Sequence, residues 1–335
     1  MRRRVLPTTS FPVASSNSGI LPSAQAGARY AAGSTNGLQD GGISTASPSA
    51  GLQTLNSSLS TSSTLTPRSM AAANSSLNTN RIFATMAANT NQACCTIPPV
   101  KSDYSPKGTT EKIGGLDVYV IGPKDAKKAI VVVYDVFGYW PTTKQGADLL
   151  AEATKARIVM PDFFRGKPIA QEDYPPKTEE KKQKFQDFFK STGDFSARKP
   201  EVEAVADALK KDGAQKLGLM GFCWGGKMSV LAGGEGTKFN AVAQVHPAMV
   251  DAEDAKKLTV PIANFPSKDE PKEDMEKFEA EVQKKDIAKD SVYKLYPDSH
   301  HGWAAARADL KDEGNLKNFQ DVYQRLADFF NKTLA

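Results

Sequence analysis

The chain has 335 residues, a net charge of +5 and only three cysteines, two of them adjacent. Three cysteines do not make a disulfide framework, which argues against a disulfide-stapled secreted domain and favours a reducing compartment. The mixed lysine and glutamate run at residues 177–184 is typical of a solvated helix face, so nucleic-acid binding is not expected. No run approaches the ~18 apolar residues of a membrane span. We therefore expect a soluble protein.

Residues 1–92 differ in composition from the rest of the chain. They are rich in Ser, Thr, Ala, Asn and Gly, and they contain one acidic residue, Asp40, against six arginines. Such a segment cannot bury enough apolar surface to fold, and its composition resembles that of an organellar transit peptide. A plain disordered tail, or a true start at Met70 or Met86, explains it equally well. The expected location is cytoplasmic, or mitochondrial if the tail is a transit peptide.

From about residue 108 onwards the chain alternates strand and helix patterns. Glycines 114 and 115 predict a hairpin between the first two strands, and the apolar run 129–135 predicts a strand buried on both faces. The pattern predicts a single domain over residues 93–335, with a mostly parallel sheet and helices on both faces. The predicted strands are 109–113, 116–121, 129–135, 157–160, 216–220, 241–245, 260–265 and 292–296; the predicted helices are 143–154, 179–190, 200–211, 272–284 and 316–330.

Residues 216–232 carry the main functional signal. A short apolar strand leads into Gly-Phe-Cys-Trp-Gly at 221–225, and a helical pattern follows. A nucleophile between two glycines, on a sharp strand-to-helix turn, is the nucleophile elbow of an α/β-hydrolase, here with Cys223 in the place of the usual serine. The alternative is a buried structural cysteine in a glycine-rich turn.

A cysteine nucleophile needs a base, and the base needs a carboxylate to orient it. Of the three histidines, His246 ends a strand and fits a packing role, whereas His300 and His301 follow the last strand. An α/β-hydrolase has the order nucleophile, acid, histidine. Asp269, on the loop after the strand 260–265, occupies that place, and the adjacent Glu270 remains the alternative.

The chain resembles the dienelactone hydrolase, or carboxymethylenebutenolidase, family over residues 93–335. The motifs that carry the resemblance are Gly-Phe-Cys-Trp-Gly-Gly at 221–226, Asp-Val-Phe-Gly at 135–138, Pro-Asp-Phe-Phe at 161–164 and His-Gly-Trp at 301–303. Residues 93–99 also resemble the start of eukaryotic, particularly fungal, members. Because the family carries its base in a His-Gly-aromatic motif, the resemblance selects His301 over His300.

The resemblance implies hydrolysis of an ester or lactone through an acyl-enzyme on Cys223, with His301 as base and Asp269 as its orienting acid. It implies an oxyanion hole from the N–H groups of Val136 and Trp224, and it requires no metal or organic cofactor.

The chain also departs from the family pattern. Bacterial members carry glutamate where Asp135 stands, a carboxylate that engages the resting thiol, and they use arginines to bind the substrate carboxylate. Asp135 is one methylene shorter, so it is a candidate substrate-binding residue whose part in gating the thiol stays open. Arg165 matches one of these arginines and Arg307 lies near the second, although both are equally compatible with a surface position.

Three functions are compatible with the sequence. The first is a cysteine-dependent hydrolase of small lactones or esters, which the motifs favour. The second is a carboxylesterase or thioesterase with a broader acyl preference. The third is a catalytically silent α/β-hydrolase fold that serves as a binding protein, against which the intact order of Cys223, Asp269 and His301 argues. Both a monomer and a dimer are compatible with the sequence.

Overall fold

The computed structural model describes residues 103–335, so the predictions for residues 1–92 and for the domain start at residue 93 lie outside the described part. An eight-stranded sheet with the order β1-β2-β4-β3-β5-β6-β7-β8 forms its centre. The strands are β1 (Thr109–Ile113), β2 (Leu116–Ile121), β3 (Lys128–Val133), β4 (Arg157–Pro161), β5 (Lys216–Phe222), β6 (Ala241–Val245), β7 (Ile262–Phe265) and β8 (Val292–Tyr293).

Seven α-helices connect and cover these strands within residues 103–335. They are α1 (Pro141–Thr154), α2 (Glu179–Lys190), α3 (Phe195–Lys211), α4 (Trp224–Ala232), α5 (Ala252–Lys257), α6 (Lys272–Gln283) and α7 (Glu313–Thr333). Two short 3-10 helices lie at Gln171–Asp173 and Asp286–Asp290.

The sheet is antiparallel at one edge and parallel through its centre. β1 and β2 form the predicted hairpin, in which Ile113 pairs with Leu116, and β2 also runs antiparallel to β4. The pairs from β4 through β3, β5, β6 and β7 to β8 are parallel. The central strands are buried except for the first residues of β3 and β5, as expected for parallel strands covered on both faces.

Helices cover both faces of β5, and its glycines face both of these layers. Gly218 lies against the ring of Phe330 in α7, and Gly221 lies against the backbone of Gly225 at the start of α4. Residues three apart on a strand point to opposite faces, so α4 and α7 lie on opposite sides of the sheet. The predicted α/β-hydrolase architecture is confirmed.

Beyond shifts of one to three residues at the ends of several elements, three elements differ from the sequence prediction. Helix α3 begins at Phe195 rather than at Pro200, because the Asp194 side chain caps it by accepting from Ser196 N–H. The last strand is paired only at Val292–Tyr293, and Tyr296 adds a single bridge to Ser267. The short helix α5, capped by Asp251, was not predicted, because six residues carry too little periodicity.

The carboxyl ends of the parallel strands β3, β5, β6 and β7 meet at one edge of the sheet. The residue pairs Val133–Gly221, Phe222–Val245 and Val245–Phe265 fix their alignment. The loops that leave this edge carry Asp135, Cys223, His246 and Glu270. In open α/β sheets this edge is where ligands bind.

Candidate active site

Cys223 lies at the tip of a strained turn between β5 and α4. Its backbone angles, φ 53° and ψ −112°, are ones that a non-glycine residue seldom adopts. A Cβ at Gly221 would overlap the carbonyl oxygen of Gly225, and one at Gly225 would overlap the carbonyl oxygen of Val133. Only glycine fits at either position, as a nucleophile elbow requires. The geometry supports the elbow over the glycine-rich structural turn.

The backbone around Cys223 is fixed by β6 and the loop that follows it. Cys223 N–H donates to the carbonyl of Val245 at 3.3 Å, and the Cys223 carbonyl accepts from Ala248 N–H at 3.1 Å. The same carbonyl accepts from Gly226 N–H at 3.1 Å, in the first turn of α4. Cys223 is 4% exposed, so almost all of its surface is covered by neighbouring residues.

The imidazole of His301 is oriented by Glu270. The Nδ1–H of His301 donates to Glu270 Oε1 at 2.6 Å, and both side chains are fully buried. The Glu270 carboxylate also accepts from the N–H and the hydroxyl of Ser267, so its position does not depend on His301 alone. A buried carboxylate on Nδ1 leaves Nε2 as the nitrogen available for proton transfer.

Asp269 does not make the contact that was predicted for it. Its Oδ2 accepts from the backbone N–H of His301 at 2.7 Å. The prediction that Asp269 orients the imidazole is therefore wrong, and the adjacent Glu270, which the sequence had left open, does so instead. The reason is local: the turn from Ser267 to Glu270 points successive side chains in different directions, so one reaches the ring and the other the main chain.

His246 connects the Cys223 side of the site with the His301 side. It follows Val245, whose carbonyl holds Cys223 N–H, and its ring centroid lies 5.0 Å from that of His301. Burial lowers the pKa of His246 well below its ordinary value of 6.5, and the charges of His301 and Arg307 lower it further. His246 was expected to be a packing residue, and the structure places it against the predicted base.

The loop after His301, residues 302–308, is held by three side chains from two helices. The hydroxyl of Thr142 in α1 donates to the Ala305 carbonyl at 2.7 Å, and Tyr323 in α7 donates to the Ala304 carbonyl at 3.0 Å. Asn315 in α7 donates to the Trp303 carbonyl at 2.9 Å. These bonds position the segment that follows the base, although no sequence motif identifies them.

Asp135, after β3, holds the same loop through its carboxylate. Oδ1 accepts from Phe137 N–H at 2.9 Å and Oδ2 accepts from Ala306 N–H at 3.2 Å. Burial raises the pKa of the Asp135 carboxyl from 3.8 to about 6, although the Phe137 N–H and the nearby Arg307 act in the opposite direction. Asp135 therefore titrates much closer to neutrality than an ordinary aspartate.

The two candidate substrate-binding arginines have different surroundings. Arg307 is 2% exposed and its guanidinium lies 5.7 Å from the ring centroid of Tyr174. Arg165 has a side chain that is 52% exposed, and its Nη2 lies 2.6 Å from Oε1 of Glu201 in α3. Arg307 is thus part of the buried site near Asp135, whereas Arg165 forms a surface ion pair.

Trp224 lies in the elbow and Val136 lies on the loop after β3. Trp224 is the first residue of α4, where backbone N–H groups lack helical partners, and its indole donates to the Gly193 carbonyl at 2.9 Å. Val136 follows Asp135, and its carbonyl accepts from Ile169 N–H at 2.9 Å. Their role in an oxyanion hole stays a prediction.

Comparison with known proteins agrees with the fold. Residues 116–334 match the model of the dienelactone hydrolase family. The chain belongs to this family. Its members are hydrolases that act on ester or lactone bonds, and this chain is such a hydrolase.

Three relatives illustrate how far the similarity extends. An uncharacterised AIM2 family protein of Schizosaccharomyces pombe is 32% identical over 234 residues, which are 69% of this chain and 93% of that protein. A mouse carboxymethylenebutenolidase homolog is 38% identical over 146 residues, 42% of this chain and 55% of that protein. The structure of a candidate dienelactone hydrolase of Klebsiella pneumoniae has a TM-score of 0.52 at 17% identity and covers 70% of this chain and 98% of its own. At this identity the last similarity concerns the fold alone.

Residues 103–335 contain neither a metal cluster nor a membrane span. No group of three or more His, Cys, Asp or Glu side chains in this range has the arrangement of a metal site. Among the same residues, no helix is long and apolar enough to cross a membrane.

Proposed function

We propose that this dienelactone hydrolase family member cleaves small esters or lactones with Cys223 as nucleophile, His301 as base and Glu270 as the acid that orients the base. The contact between Glu270 and His301 carries the proposal. Two fully buried side chains meet at 2.6 Å beside the elbow, and a buried carboxylate on Nδ1 is the arrangement that prepares an imidazole to act as a base.

The reaction begins with proton transfer from the thiol. A free cysteine has a pKa of about 8.5 and is mostly protonated at neutral pH, so His301 Nε2 takes its proton as Sγ attacks the carbonyl carbon. The Glu270 carboxylate holds the Nδ1–H tautomer and stabilises the imidazolium. The proton on Nε2 then passes to the leaving alkoxide, and an acyl-thioester remains on Cys223.

Deacylation uses the same residues in reverse. His301 takes a proton from water, and the resulting hydroxide attacks the carbonyl carbon of the thioester. When the tetrahedral intermediate collapses, the acid is released and His301 returns the proton to the Cys223 thiolate. In both steps the N–H groups of Trp224 and Val136 hold the developing oxyanion. Loss of one such donor raises a barrier by about 3–4 kcal/mol in related chemistry.

Asp135 has a different task from the glutamate of bacterial members. Its two oxygens accept from Phe137 N–H and Ala306 N–H, which joins the loop after β3 to the loop after His301. Arg307, buried beside Asp135, is the better placed of the two arginines to bind a substrate carboxylate. We therefore favour acyl groups that carry a second polar or acidic group over long apolar ones.

Replacement of Cys223 by alanine tests the nucleophile. The variant should fold like the wild type and lose turnover of an activated aryl ester. Alkylation of the wild-type thiol should remove activity in parallel with labelling of Cys223, as followed by mass spectrometry of its peptide. Wild-type turnover in the variant would move the nucleophile elsewhere. A panel of lactones, esters and thioesters then separates a lactone hydrolase from a broader esterase.

The neighbouring histidines give a matched pair for the base. His301→Ala should lower turnover by several orders of magnitude, because the thiol then has no base oriented by a carboxylate. His300→Ala should cost far less, because Nε2 of His300 lies 3.2 Å from the Arg307 carbonyl rather than beside Glu270. If His300→Ala were the inactive variant, the base assignment would be wrong by one residue.

A further inference from the structure

His246 occupies a buried position that an apolar residue would fill at lower cost. Its side chain is fully buried, and within residues 103–335 neither ring nitrogen has a well-formed hydrogen bond to another residue; the one polar contact of the ring is with its own backbone. A buried polar atom without a partner typically costs about 1–3 kcal/mol. A phenylalanine of similar shape would avoid this cost, so packing alone does not account for the imidazole.

The backbone of His246 is also strained. Its φ of 37° lies in the left-handed region. Regular continuation of β6 would place residue 246 on the face of Gln244, which contacts Gly226 in α4. Instead, the His246 ring stacks on Phe222 at 5.6 Å, on the opposite face of the sheet, where Phe222 also meets Tyr323 of α7. The left-handed backbone of His246 thus occurs together with a ring that contacts Phe222 and His301 rather than α4.

Contacts with Cys223 and with α4 hold the segment after His246 in place. Ala248 N–H donates to the carbonyl of Cys223 at 3.1 Å, and Nζ of Lys227 in α4 donates to the Met249 carbonyl at 2.8 Å. Lys227 is buried and is itself paired with Asp254. Strained backbone persists where the surrounding contacts over-determine it, and such sites cluster where function needs them.

The ring of His246 lies against the predicted base. Its centroid is 5.0 Å from that of His301, with 61° between the ring planes, and it lies 6.5 Å from the ring centroid of Trp303. A dipole acts more strongly on a neighbouring charge in a buried site, where the effective dielectric constant is low. In the proposed mechanism His301 becomes a cation each time that Cys223 ionises.

We propose that His246 is a positioning residue for the Cys223–His301 pair: its uncharged imidazole seats the His301 ring and stabilises the positive charge that this ring acquires when the thiol transfers its proton to Nε2. The inference rests on the proposed function. An imidazole does this better than phenylalanine because it adds a dipole and a lone pair in a site of low dielectric constant.

His246 must stay neutral to act in this way. The titratable and charged groups that act on it lie on the loop after β8 and are His301, Arg307 and His300. Burial, the first cause, and these groups keep its pKa well below 6.5. Phe222 from β5 and Phe265 from β7, which also contact it, carry no charge. His246 therefore does not compete with His301 for the proton near neutral pH.

The test measures thiolate formation rather than ester turnover. Full-length protein is treated with iodoacetamide at pH 6 and pH 9, and labelling of Cys223 is quantified by peptide mass spectrometry. At pH 6 the thiolate depends on a protonated His301, whereas at pH 9 it forms without one. His246→Phe should label about tenfold more slowly at pH 6, which corresponds to about 1.4 kcal/mol, and within twofold of wild type at pH 9.

Two further variants complete the test. His246→Asn keeps a polar side chain and tolerates the left-handed backbone, so it should label only about threefold more slowly at pH 6, and it carries the test alone if the phenylalanine variant does not fold. His300→Phe, which removes the adjacent imidazole, should follow the wild type at both pH values.

Two results would overturn the inference about His246. These are wild-type labelling of both His246 variants at pH 6, or equal slowing at both pH values. Failure of the proposed function would give a different result, because Cys223 of the wild type would then be labelled at pH 6 no faster than a free thiol.

Discussion

The elbow (residues 221–225) and the histidine loop (residues 299–308) meet at the same edge of the sheet, but different forces hold them. The elbow is fixed by close backbone packing, since neither Gly221 nor Gly225 leaves room for a Cβ. The histidine loop is fixed by polar side chains from other elements: Asp135, Thr142, Asp269, Glu270, Asn315 and Tyr323.

The two regions should therefore respond to different kinds of substitution. The position of Cys223 depends on volume and should respond to a single methyl group, but not to charge. The position of His301 depends on three carboxylates, so it should respond to pH and to isosteric amide substitutions. A substitution of each kind, made in each region, tests whether this division is real.

The largest effect is expected at Glu270. Glu270→Gln keeps the shape of the side chain but removes the charge that stabilises the imidazolium, and its amide can face Nδ1 with a donor. Turnover of the aryl ester should fall by about 10³–10⁴, as for the orienting acid of other triads. The matched variant is Asp269→Asn, whose amide oxygen can still accept from His301 N–H, and it should lose about tenfold or less. Equal losses in the two variants would contradict the assignment of Glu270.

The adjacent carboxylates Asp269 and Glu270 also show what the sequence alone could not predict. The order of elements placed an acid on the loop after β7, and this was correct. Which of two neighbours reaches the ring depends on the turn, in which Glu270 bonds back to Ser267 and thereby swings towards His301. Such a turn has no signature in the sequence, whereas the elbow has one because its steric demand leaves glycine as the only residue that fits.

In the fold, too, some features could be predicted from the sequence and others could not. The buried strands and the hairpin were predicted nearly to the residue, because continuous β-branched runs and paired glycines are compatible with few local structures. Helix α3 was predicted to start at Pro200, since proline favours the first turn, but the Asp194 cap starts it five residues earlier. The contacts of His246 and Asp135 could not be predicted, because they join loops that are distant in the sequence.

The next effect concerns the elbow. Gly221→Ala places a methyl group against the carbonyl of Gly225, and backbone atoms cannot yield cheaply. We expect a loss of about 3 kcal/mol in the free energy of unfolding, or failure to fold. Gly314→Ala in α7 is the matched control, because its Cβ meets only a side-chain oxygen at 3.3 Å and helical alanine is favoured over glycine. Urea unfolding measures both, and a stable Gly221→Ala protein would show that the elbow is not sterically fixed.

A smaller and pH-dependent effect is expected at Asp135. Its pKa is about 6 in the folded protein against an ordinary 3.8, so the folded state holds the proton more tightly. Below pH 4 both states are protonated and this group has no effect. Between pH 4 and pH 6 the carboxyl ionises in the unfolded state but stays protonated in the folded state. The free energy of unfolding should therefore fall over this range by up to about 3 kcal/mol.

Asp135→Asn should remove this fall. The measurement is urea unfolding at pH 4.5 and pH 7 for the wild type and the variant, compared as the difference between the two pH values. Thr142→Val is the control, because it removes another bond to the same loop without a titrating group. If the wild type and Asp135→Asn show the same pH difference, the charge of Asp135 does not affect the loop.

The smallest effect is expected at Arg165, which lies in neither region. Its ion pair with Glu201 is half exposed, and such pairs contribute about 0–1 kcal/mol. Arg165→Gln should therefore leave kcat/KM within twofold of wild type, both for a neutral ester and for one that carries a carboxylate. Arg307→Gln, which removes a buried guanidinium beside Asp135 and Tyr174, should lower kcat/KM about tenfold or more, and most for the carboxylate ester. A selective loss with the carboxylate ester in Arg165→Gln, and none in Arg307→Gln, would show that the substrate extends towards α3 instead of along the histidine loop.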